Sequence, residues 1–174
     1  MKVGTIGTSV ITERMIDALK QAGSEVVAVY SRGADKGREF ADRNQVERVY
    51  MDLDSMLQDP DIDTVYVASP NSLHYTQAKQ ALETGHDVIC EKPFASTTEQ
   101  AQDLFETASR HGRRIFEAIT TLYTPNYRLL QKSLHRIGEP RIVTANFSQY
   151  SSRYDAYLKG QVTNVFDPAF DGGA

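Results

Sequence analysis

Residues 3–12, VGTIGTSVIT, decide the fold prediction. A short apolar run ends at Gly7, and the residues after it follow a helical spacing that stops at Gly23. The next segment, Glu25–Tyr30, is an apolar, β-branched run of strand length. A strand apolar on both faces, following a glycine turn and a helix, is typical of a parallel sheet covered by helices on each side.

The same alternation continues to about residue 120. The predicted strands are residues 3–6, 25–30, 48–51, 65–68, 88–90 and 114–119. Helices are predicted between them, and the last begins with a capping box of Ser96 and Glu99. The first helix is expected to bury Ile11, Met15, Ile16, Leu19 and Ala22, and the last Ala101, Leu104, Phe105 and Ala108. The predicted fold class is α/β, a Rossmann-type doubly wound parallel sheet over residues 1–120.

The pattern changes after residue 120. Thr124 and Pro125 predict a helix start, and that helix is expected to reach Gly138. Residues 141–150 alternate between apolar and polar, which predicts a half-buried strand, but nothing downstream can clearly pair with it. We therefore expect residues 121–174 to be the incomplete start of a C-terminal α/β domain, and the chain to be the front part of a longer protein.

Composition excludes several classes of protein. The 174 residues carry 19 Lys and Arg against 23 Asp and Glu, a net charge of −4, which argues against nucleic-acid binding and a basic membrane patch. No apolar run reaches the roughly 18 residues of a membrane span. The single cysteine, Cys90, predicts a reduced, cytoplasmic protein, and the four scattered histidines give no metal-site spacing.

The turn after the first strand is the first candidate site. A helix N-terminus there offers free N–H groups to a pyrophosphate. Gly7 supplies the tight turn, whereas Ser9 and Thr12 replace the second and third glycines of the dinucleotide motif. An ordinary turn with a Ser or Thr cap remains an alternative. The cofactor-binding candidates are Gly7, Thr8, Ser9, Val10 and Ile11.

Ser31 and Arg32 follow the second predicted strand. An acidic residue at this place would bind the ribose 2′-hydroxyl of NAD, whereas a hydroxyl followed by arginine suits the 2′-phosphate of NADP. The pair therefore favours NADP, with NAD as the second choice. The alternative for Arg32 is a solvated loop residue.

Two further segments follow the fourth and fifth strands. Ser69, Pro70 and Asn71 are expected to face the cofactor crevice, although Asn71 or Ser72 could instead cap the next helix. His74 lies one turn into that helix, as an active-site wall or as a surface histidine.

Glu91, Lys92 and Pro93 leave the fifth strand toward the same crevice. Lys92 can contact a substrate oxygen and relay its proton, and Glu91 can orient Lys92 or a ribose. A surface ion pair is the alternative for these two charges. Cys90 is expected in the core, because no histidine partner is evident for a nucleophilic thiol.

Together these residues resemble the Gfo/Idh/MocA family. The resemblance rests on Gly7-Thr8-Ser9, on residues 61–74 (DIDTVYVASPNSLH) and on residues 85–93 (GHDVICEKP). It implies an NAD(P)-dependent oxidoreductase for sugars, polyols or cyclitols, with a C-terminal domain that carries substrate contacts and the interface of a homo-oligomer. By analogy Lys92 is the substrate-binding and proton-relay lysine, Glu91 and Pro93 shape the nicotinamide pocket, and Asn71 and His74 line it.

The resemblance also places the proton-transfer histidine of many members beyond a segment similar to residues 167–174. Turnover by these 174 residues alone is therefore an open question. A non-catalytic nucleotide-binding module and a structural remnant that pairs through residues 141–150 are the alternatives to a dehydrogenase.

Overall fold

The computed structural model describes residues 1–151, 153–161 and 167–168. Its strands are β1 (Lys2–Ile6), β2 (Glu25–Tyr30), β3 (Arg48–Tyr50), β4 (Thr64–Val67), β5 (Asp87–Cys90) and β6 (Ile115–Glu117). Its helices are α1 (Val10–Gln21), α2 (Ala34–Asn44), α3 (Leu53–Leu57), α4 (Asn71–Glu83), α5 (Thr98–Arg110), α6 (Pro125–Ser133) and α7 (Tyr154–Leu158). All six strands and five helices expected before residue 120 are present.

The sheet is parallel throughout, in the order β3-β2-β1-β4-β5-β6. One core cluster includes Ile16 from α1 and Phe40 from α2, and a second includes Met56, Leu82 and Leu104 from α3, α4 and α5. Strand order reverses between β1 and β4, so the crevice of a doubly wound fold lies at their carboxyl ends. The predicted fold class is confirmed.

Hydrogen bonds beyond the strand ends hold the connecting loops side by side at this carboxyl edge. Three loop amides each donate to the last residue of the neighbouring strand: Gly7 N to Tyr30 O at 3.3 Å, Ala68 N to Ile6 O at 2.9 Å and Glu91 N to Val67 O at 2.8 Å. The loops after β2, β1, β4 and β5 therefore follow one another in spatial order. At the usual strand spacing, the first and last of them are about 14–15 Å apart.

The cap of α5 differs from the prediction by one residue. The N-cap is Thr97, whose hydroxyl accepts from Gln100 N at 3.3 Å. Gln100 Oε1 in turn accepts from Ser96 N at 3.0 Å. The predicted pair of Ser96 and Glu99 is wrong, because Thr97 and Gln100 have the same capping spacing and lie one position later.

Several apolar helix positions are not buried. Ile16, Leu19, Leu104 and Ala108 are in the core as predicted, whereas Ile11, Ala22 and Phe105 are exposed. Ile11 lies in the first turn of α1, at the open carboxyl edge of the sheet. Phe105 is 55% exposed and packs against the ring of Phe94, with centroids 5.5 Å apart, outside the two core clusters.

The segment after β6 contains a predicted helix and lacks a predicted strand. Thr124 caps α6 by accepting from Tyr127 N at 3.3 Å, and Leu134–Ile137 continue as a 3-10 turn. Residues 141–150 form no strand, and the side chains of Ile142, Val143 and Phe147 are exposed. A strand needs a ladder partner, and the described residues supply none for this segment. No helix in the described ranges combines the length and the hydropathy needed to cross a bilayer.

Candidate active site

A cleft of about 310 Å³ lies at the carboxyl edge between β2, β1 and β4. Six of the predicted cofactor-binding residues line it: Gly7, Thr8, Ser31, Arg32, Ser69 and Pro70. The remaining predicted residues, Ser9, Val10, Ile11, Asn71, Glu91, Lys92 and Pro93, do not line this cavity. The cavity therefore covers one end of the predicted site, and Lys92 lies at the other end, beyond β5.

Gly7 makes the close turn that the first glycine of the motif was expected to make. Its φ is +113°, in the region that favours glycine. A Cβ at this position would lie 2.6 Å from the backbone oxygen of Ala68. Both the conformation and the contact exclude a side chain, so Gly7 sets the distance between the β1 and β4 loops.

The N-terminus of α1 is not closed by a side-chain cap. Ser9 is the N-cap residue, but its hydroxyl makes no capping hydrogen bond and instead lies 3.3 Å from Thr12 Oγ1. The alternative of an ordinary Ser- or Thr-capped turn is therefore wrong. Backbone N–H groups in the first turn of a helix that has no side-chain cap can bind phosphate.

Two cations and a hydroxyl lie at the β2 end of the cleft. Ser31 is buried and donates to Gly33 O at 3.1 Å, while Arg32 and Lys36 are exposed and line the cavity. Lys36 was missed by the sequence analysis. The available signal is its spacing of one helical turn from Arg32. Arg32 directly precedes the predicted helix and Lys36 lies in its first turn, so the two side chains can lie on the same side.

Gly37 allows this end of the cleft to form. A Cβ there would lie 2.9 Å from Val49 Cγ1 and 3.0 Å from Ser31 Cβ. The first turn of α2 can therefore pack directly against Ser31, which brings Lys36 over the end of β2.

The loop after β4 leads directly into α4. The helix begins at Asn71 and its N-cap residue is Pro70, so neither Asn71 nor Ser72 occupies the cap position. Leu73 and Gln77, one turn apart on α4, complete this wall of the cleft. Gln77 was not among the sequence candidates.

His74 contacts the loops after β4 and β5. It is 1% exposed, with Nδ1 2.8 Å from Pro93 O and Nε2 2.8 Å from Ser69 O. The surface alternative is wrong. Both ring nitrogens face carbonyl oxygens, so the geometry gives His74 a bracing role and leaves no nitrogen directed at a substrate.

Glu91 is buried and hydrogen-bonded, rather than paired with its neighbour. Its Oε1 accepts from Tyr66 OH at 2.8 Å, and its Oε2 accepts from Lys92 N at 3.3 Å. Burial, together with the Glu91 carboxylate, raises the pKa of Tyr66, which keeps the phenol a donor. The described residues contain no ion pair between Glu91 and Lys92, so the surface ion-pair alternative is not observed.

Lys92 is an exposed residue on a loop that hydrogen bonds hold in place. Tyr66 from β4 holds Glu91, His74 from α4 holds Pro93, and Glu117 of β6 accepts from Phe94 N at 3.2 Å. The part of the chain that the structure describes gives the Lys92 ammonium no hydrogen bond or ion pair. An ammonium held at a strand end without an internal partner can donate to the oxygen of a ligand.

Cys90 belongs to the core, as predicted. It is fully buried in β5, and burial raises the pKa of its thiol, which disfavours the nucleophilic thiolate. Within the described ranges, no group of three or more His, Cys, Asp or Glu side chains could hold a metal ion.

Comparisons with known proteins agree with this fold. Residues 1–119 match the family model GFO_IDH_MocA, described as an oxidoreductase family with an NAD-binding Rossmann fold. The chain is 39% identical over its whole length to scyllo-inositol 2-dehydrogenase (NADP(+)) of Bacillus subtilis, of which it covers 53%. It is 37% identical to 1,5-anhydro-D-fructose reductase of Ensifer adhaerens, over 80% of this chain and 41% of that protein.

A solved structure shows the same fold. A 3-ketoreductase of Actinomadura kijaniata in complex with NADP superposes with a TM-score of 0.73 at 33% identity, over 78% of this chain and 44% of that one. The chain spans about half the length of the curated relatives it matches. The chain belongs to the Gfo/Idh/MocA family of oxidoreductases with an NAD-binding Rossmann fold.

Proposed function

We propose that this chain binds NADP along its carboxyl edge and belongs to an enzyme that moves a hydride between the nicotinamide and a sugar, polyol or cyclitol. The observation that carries the proposal is the row of sites along that edge. A pair of cations lies at the end of β2, a glycine turn follows β1, and an ammonium follows β5.

The end of the cleft at β2 supports NADP rather than NAD. A 2′-phosphate carries more negative charge than a hydroxyl, and Arg32 and Lys36 both line the cavity where it would lie. An acidic residue that would repel the phosphate is absent from Tyr30, Ser31 and Gly33. The scyllo-inositol dehydrogenase relative is named for NADP(+), and the 3-ketoreductase structure contains NADP.

Lys92 is proposed as the residue that contacts the substrate. The bound nicotinamide would supply or accept the hydride at its ring. Lys92 Nζ would donate a hydrogen bond to the reacting oxygen and would hold the proton that this oxygen gains or loses. Tyr66, His74 and Glu117 would keep the Lys92 loop in one position, so that the ammonium needs no reorganisation when the substrate binds.

The substrate class is proposed from the relatives. One is named for an inositol and one for an anhydro sugar, both of which carry ring hydroxyl or carbonyl groups. An ammonium is an appropriate donor for such an oxygen, and the sequence resemblance points to the same class.

Residues 121–174 are proposed as the beginning of a second domain that would carry substrate contacts and an oligomer interface. In the described part of this segment, large apolar side chains are exposed, among them Leu129, Leu130, Ile137 and Phe147. Side chains of this kind normally pack against other protein surface.

Titration calorimetry of the 174-residue chain tests the cofactor proposal. We expect NADP to bind at least tenfold more tightly than NAD. Arg32→Ala should weaken NADP binding by about 10- to 100-fold, the usual range for a hydrogen bond to a charged group, and change NAD binding by less than about twofold. Lys36→Ala should act in the same direction.

Arg38→Ala is the matched control, because Arg38 is exposed on α2 but does not line the cleft. Equal losses of NADP and NAD binding in Arg32→Ala would contradict the assignment of the 2′-phosphate to this end.

A nucleotide-binding module without turnover is the second candidate function. All residues that line the cavity lie between Ile6 and Gln77, so the segment after β6 contributes no residue to this cavity. NADP binding by the chain with no oxidation of inositols or sugars would favour this candidate for the chain by itself.

A further inference from the structure

We propose that Gln77 recognises the adenine base of the bound nucleotide, with its amide oxygen accepting from the 6-amino group. The inference rests on the proposed function, because it assigns a residue within the same cleft. It adds a polar contact to the base, which neither the sequence motifs nor the cation pair at β2 address.

The first observation is an unsatisfied atom. Gln77 Oε1 is the one buried side-chain oxygen or nitrogen, among the residues that the structure describes, without a hydrogen-bond partner. Buried polar atoms of folded proteins almost always have a partner, so an exception calls for a water or a ligand. Gln77 also lines the cleft, so the residue that carries this unmet acceptor borders the cavity, although Oε1 itself is buried.

The second observation is that the other lining residues account for the phosphates of the nucleotide but not for its base. Gly7 and Thr8 lie at the N-terminus of α1, where a pyrophosphate binds. Ser31, Arg32 and Lys36 form the cationic end, which suits the 2′-phosphate. The base is the remaining part of the adenosine half, and the loop after β4 and the start of α4 line another wall of the cleft, which includes Pro70, Leu73 and Gln77.

The chemistry of this wall suits a purine. Leu73 and Pro70 offer apolar contact to a flat ring, and Gln77 lies one helical turn beyond Leu73 on α4. A glutamine amide can pair with adenine in two bonds, with its oxygen accepting from N6 and its nitrogen donating to N7. The terminal torsion of a glutamine is broad, so the amide can turn toward the base without leaving its place on the helix.

The pairing predicts discrimination between two nucleotides. In nicotinamide hypoxanthine dinucleotide phosphate, a carbonyl oxygen replaces the 6-amino group while N7 is unchanged. The Gln77 amide then faces two acceptors, the carbonyl oxygen and N7. In either orientation of the amide, its own oxygen lies opposite one of these acceptors, and the two lone pairs repel each other. A site that bonds a substrate N–H disfavours the analogue that lacks it.

Calorimetric titration of the full chain with both nucleotides tests the proposal. We expect the unmodified chain to bind NADP about three- to tenfold more tightly than the hypoxanthine analogue. Gln77→Met, which keeps the length and helix propensity of the side chain, should bring that ratio close to one. Gln77→Glu can accept but cannot donate, and should still favour adenine.

Gln80→Met is the matched control on the same helix, because the Gln80 amide donates to Asp54 and does not line the cleft. It should keep the ratio of the unmodified chain. An equal affinity of the unmodified chain for the two nucleotides, or an unchanged ratio in Gln77→Met, would overturn the role of Gln77 while NADP binding itself stood. Failure of the folded chain to bind either nucleotide would overturn the proposed function as well.

Discussion

The two ends of the carboxyl edge are built in different ways. At the β2 end, Ser31, Arg32 and Lys36 border a cavity of about 310 Å³. At the β5 end, Lys92 is exposed outside that cavity, and the structure around it consists of braces below the loop. The first end therefore offers a concave surface lined by several side chains, whereas the second presents one exposed side chain on a loop held by hydrogen bonds.

A substitution between the two ends has the largest expected effect. Gly7→Ala introduces a Cβ that meets Ala68 O at 2.6 Å, in a backbone conformation with φ of +113°. We expect it to lower the free energy of unfolding by about 1–3 kcal/mol and to abolish measurable NADP binding, because the β1 and β4 loops must separate. Chemical denaturation and calorimetry measure the two effects.

Gly23→Ala is the control for backbone conformation. Gly23 has φ of +75°, and a Cβ there meets nothing within 4 Å. It should cost about 1–2 kcal/mol of stability and leave NADP affinity unchanged. If the Gly7→Ala variant bound NADP as tightly as the unmodified chain, NADP binding would not depend on the close approach of the β1 and β4 loops.

The braces at the β5 end predict the next largest effect. Tyr66→Phe removes the donor to Glu91 Oε1 and leaves a buried carboxylate oxygen unpaired, at a cost of about 1–3 kcal/mol in unfolding free energy. Binding of adenosine 2′,5′-bisphosphate, which has no nicotinamide half to reach the β5 end, should be unchanged. A large loss of affinity for that fragment would show that the two ends are not independent.

Alkaline pH should lower the free energy of unfolding through two buried groups near the β5 end. Burial raises the pKa values of Tyr66 and Cys90 in the folded state, while the unfolded chain ionises cysteine near about 8.5 and tyrosine near about 10. Above about pH 8.5 the unfolded chain therefore loses protons that the folded chain keeps, so stability falls as pH rises. The cysteine contribution approaches about 1.4 kcal/mol per pH unit.

Urea unfolding at several pH values between about 7 and 10 measures this slope, and Cys90→Ala separates the thiol contribution. Cys90→Ala should lower stability at neutral pH and reduce the slope above about pH 8.5. An unchanged slope would mean that the thiol of Cys90 is not the group that titrates.

The smallest expected effect on binding is at Lys92. Lys92→Met should leave NADP affinity within about twofold, because the ammonium serves the substrate oxygen and not the phosphates. In a protein that also contains the substrate-binding half, the same change should abolish turnover. Turnover that survived it would contradict the role of Lys92, and a large loss of NADP affinity would move Lys92 into the cofactor site.

The sequence was sufficient for the sheet and for placing candidate residues directly after its strands. Apolar runs and glycine turns are local signals, so they placed six strands, and the parallel topology then brought the segments after β2, β1, β4 and β5 together. The predictions that failed depended on distant packing. Phe105 has the right helical spacing for burial but lies outside the core, and residues 141–150 alternate like a strand but have no partner in the described residues.

The orientation of side chains within the site could not be predicted from the sequence. The sequence places Glu91 next to Lys92, as an ion pair or as an orienting group, whereas its side-chain donor is Tyr66, 25 residues earlier and buried in β4. The sequence leaves His74 either on an active-site wall or on the surface, whereas its two ring nitrogens contact the loops after β4 and β5. Lys36 and Gln77 were missed because each is an ordinary polar residue of a helix until the fold places it at the cleft.

A crystal structure of the chain with NADP tests the central claim most directly. The account predicts the 2′-phosphate within hydrogen-bonding distance of Ser31, Arg32 or Lys36, the pyrophosphate over the turn at Gly7, and the nicotinamide beside Lys92. A nucleotide bound in the opposite direction, or well-ordered crystals soaked in NADP with an empty carboxyl edge, would contradict it.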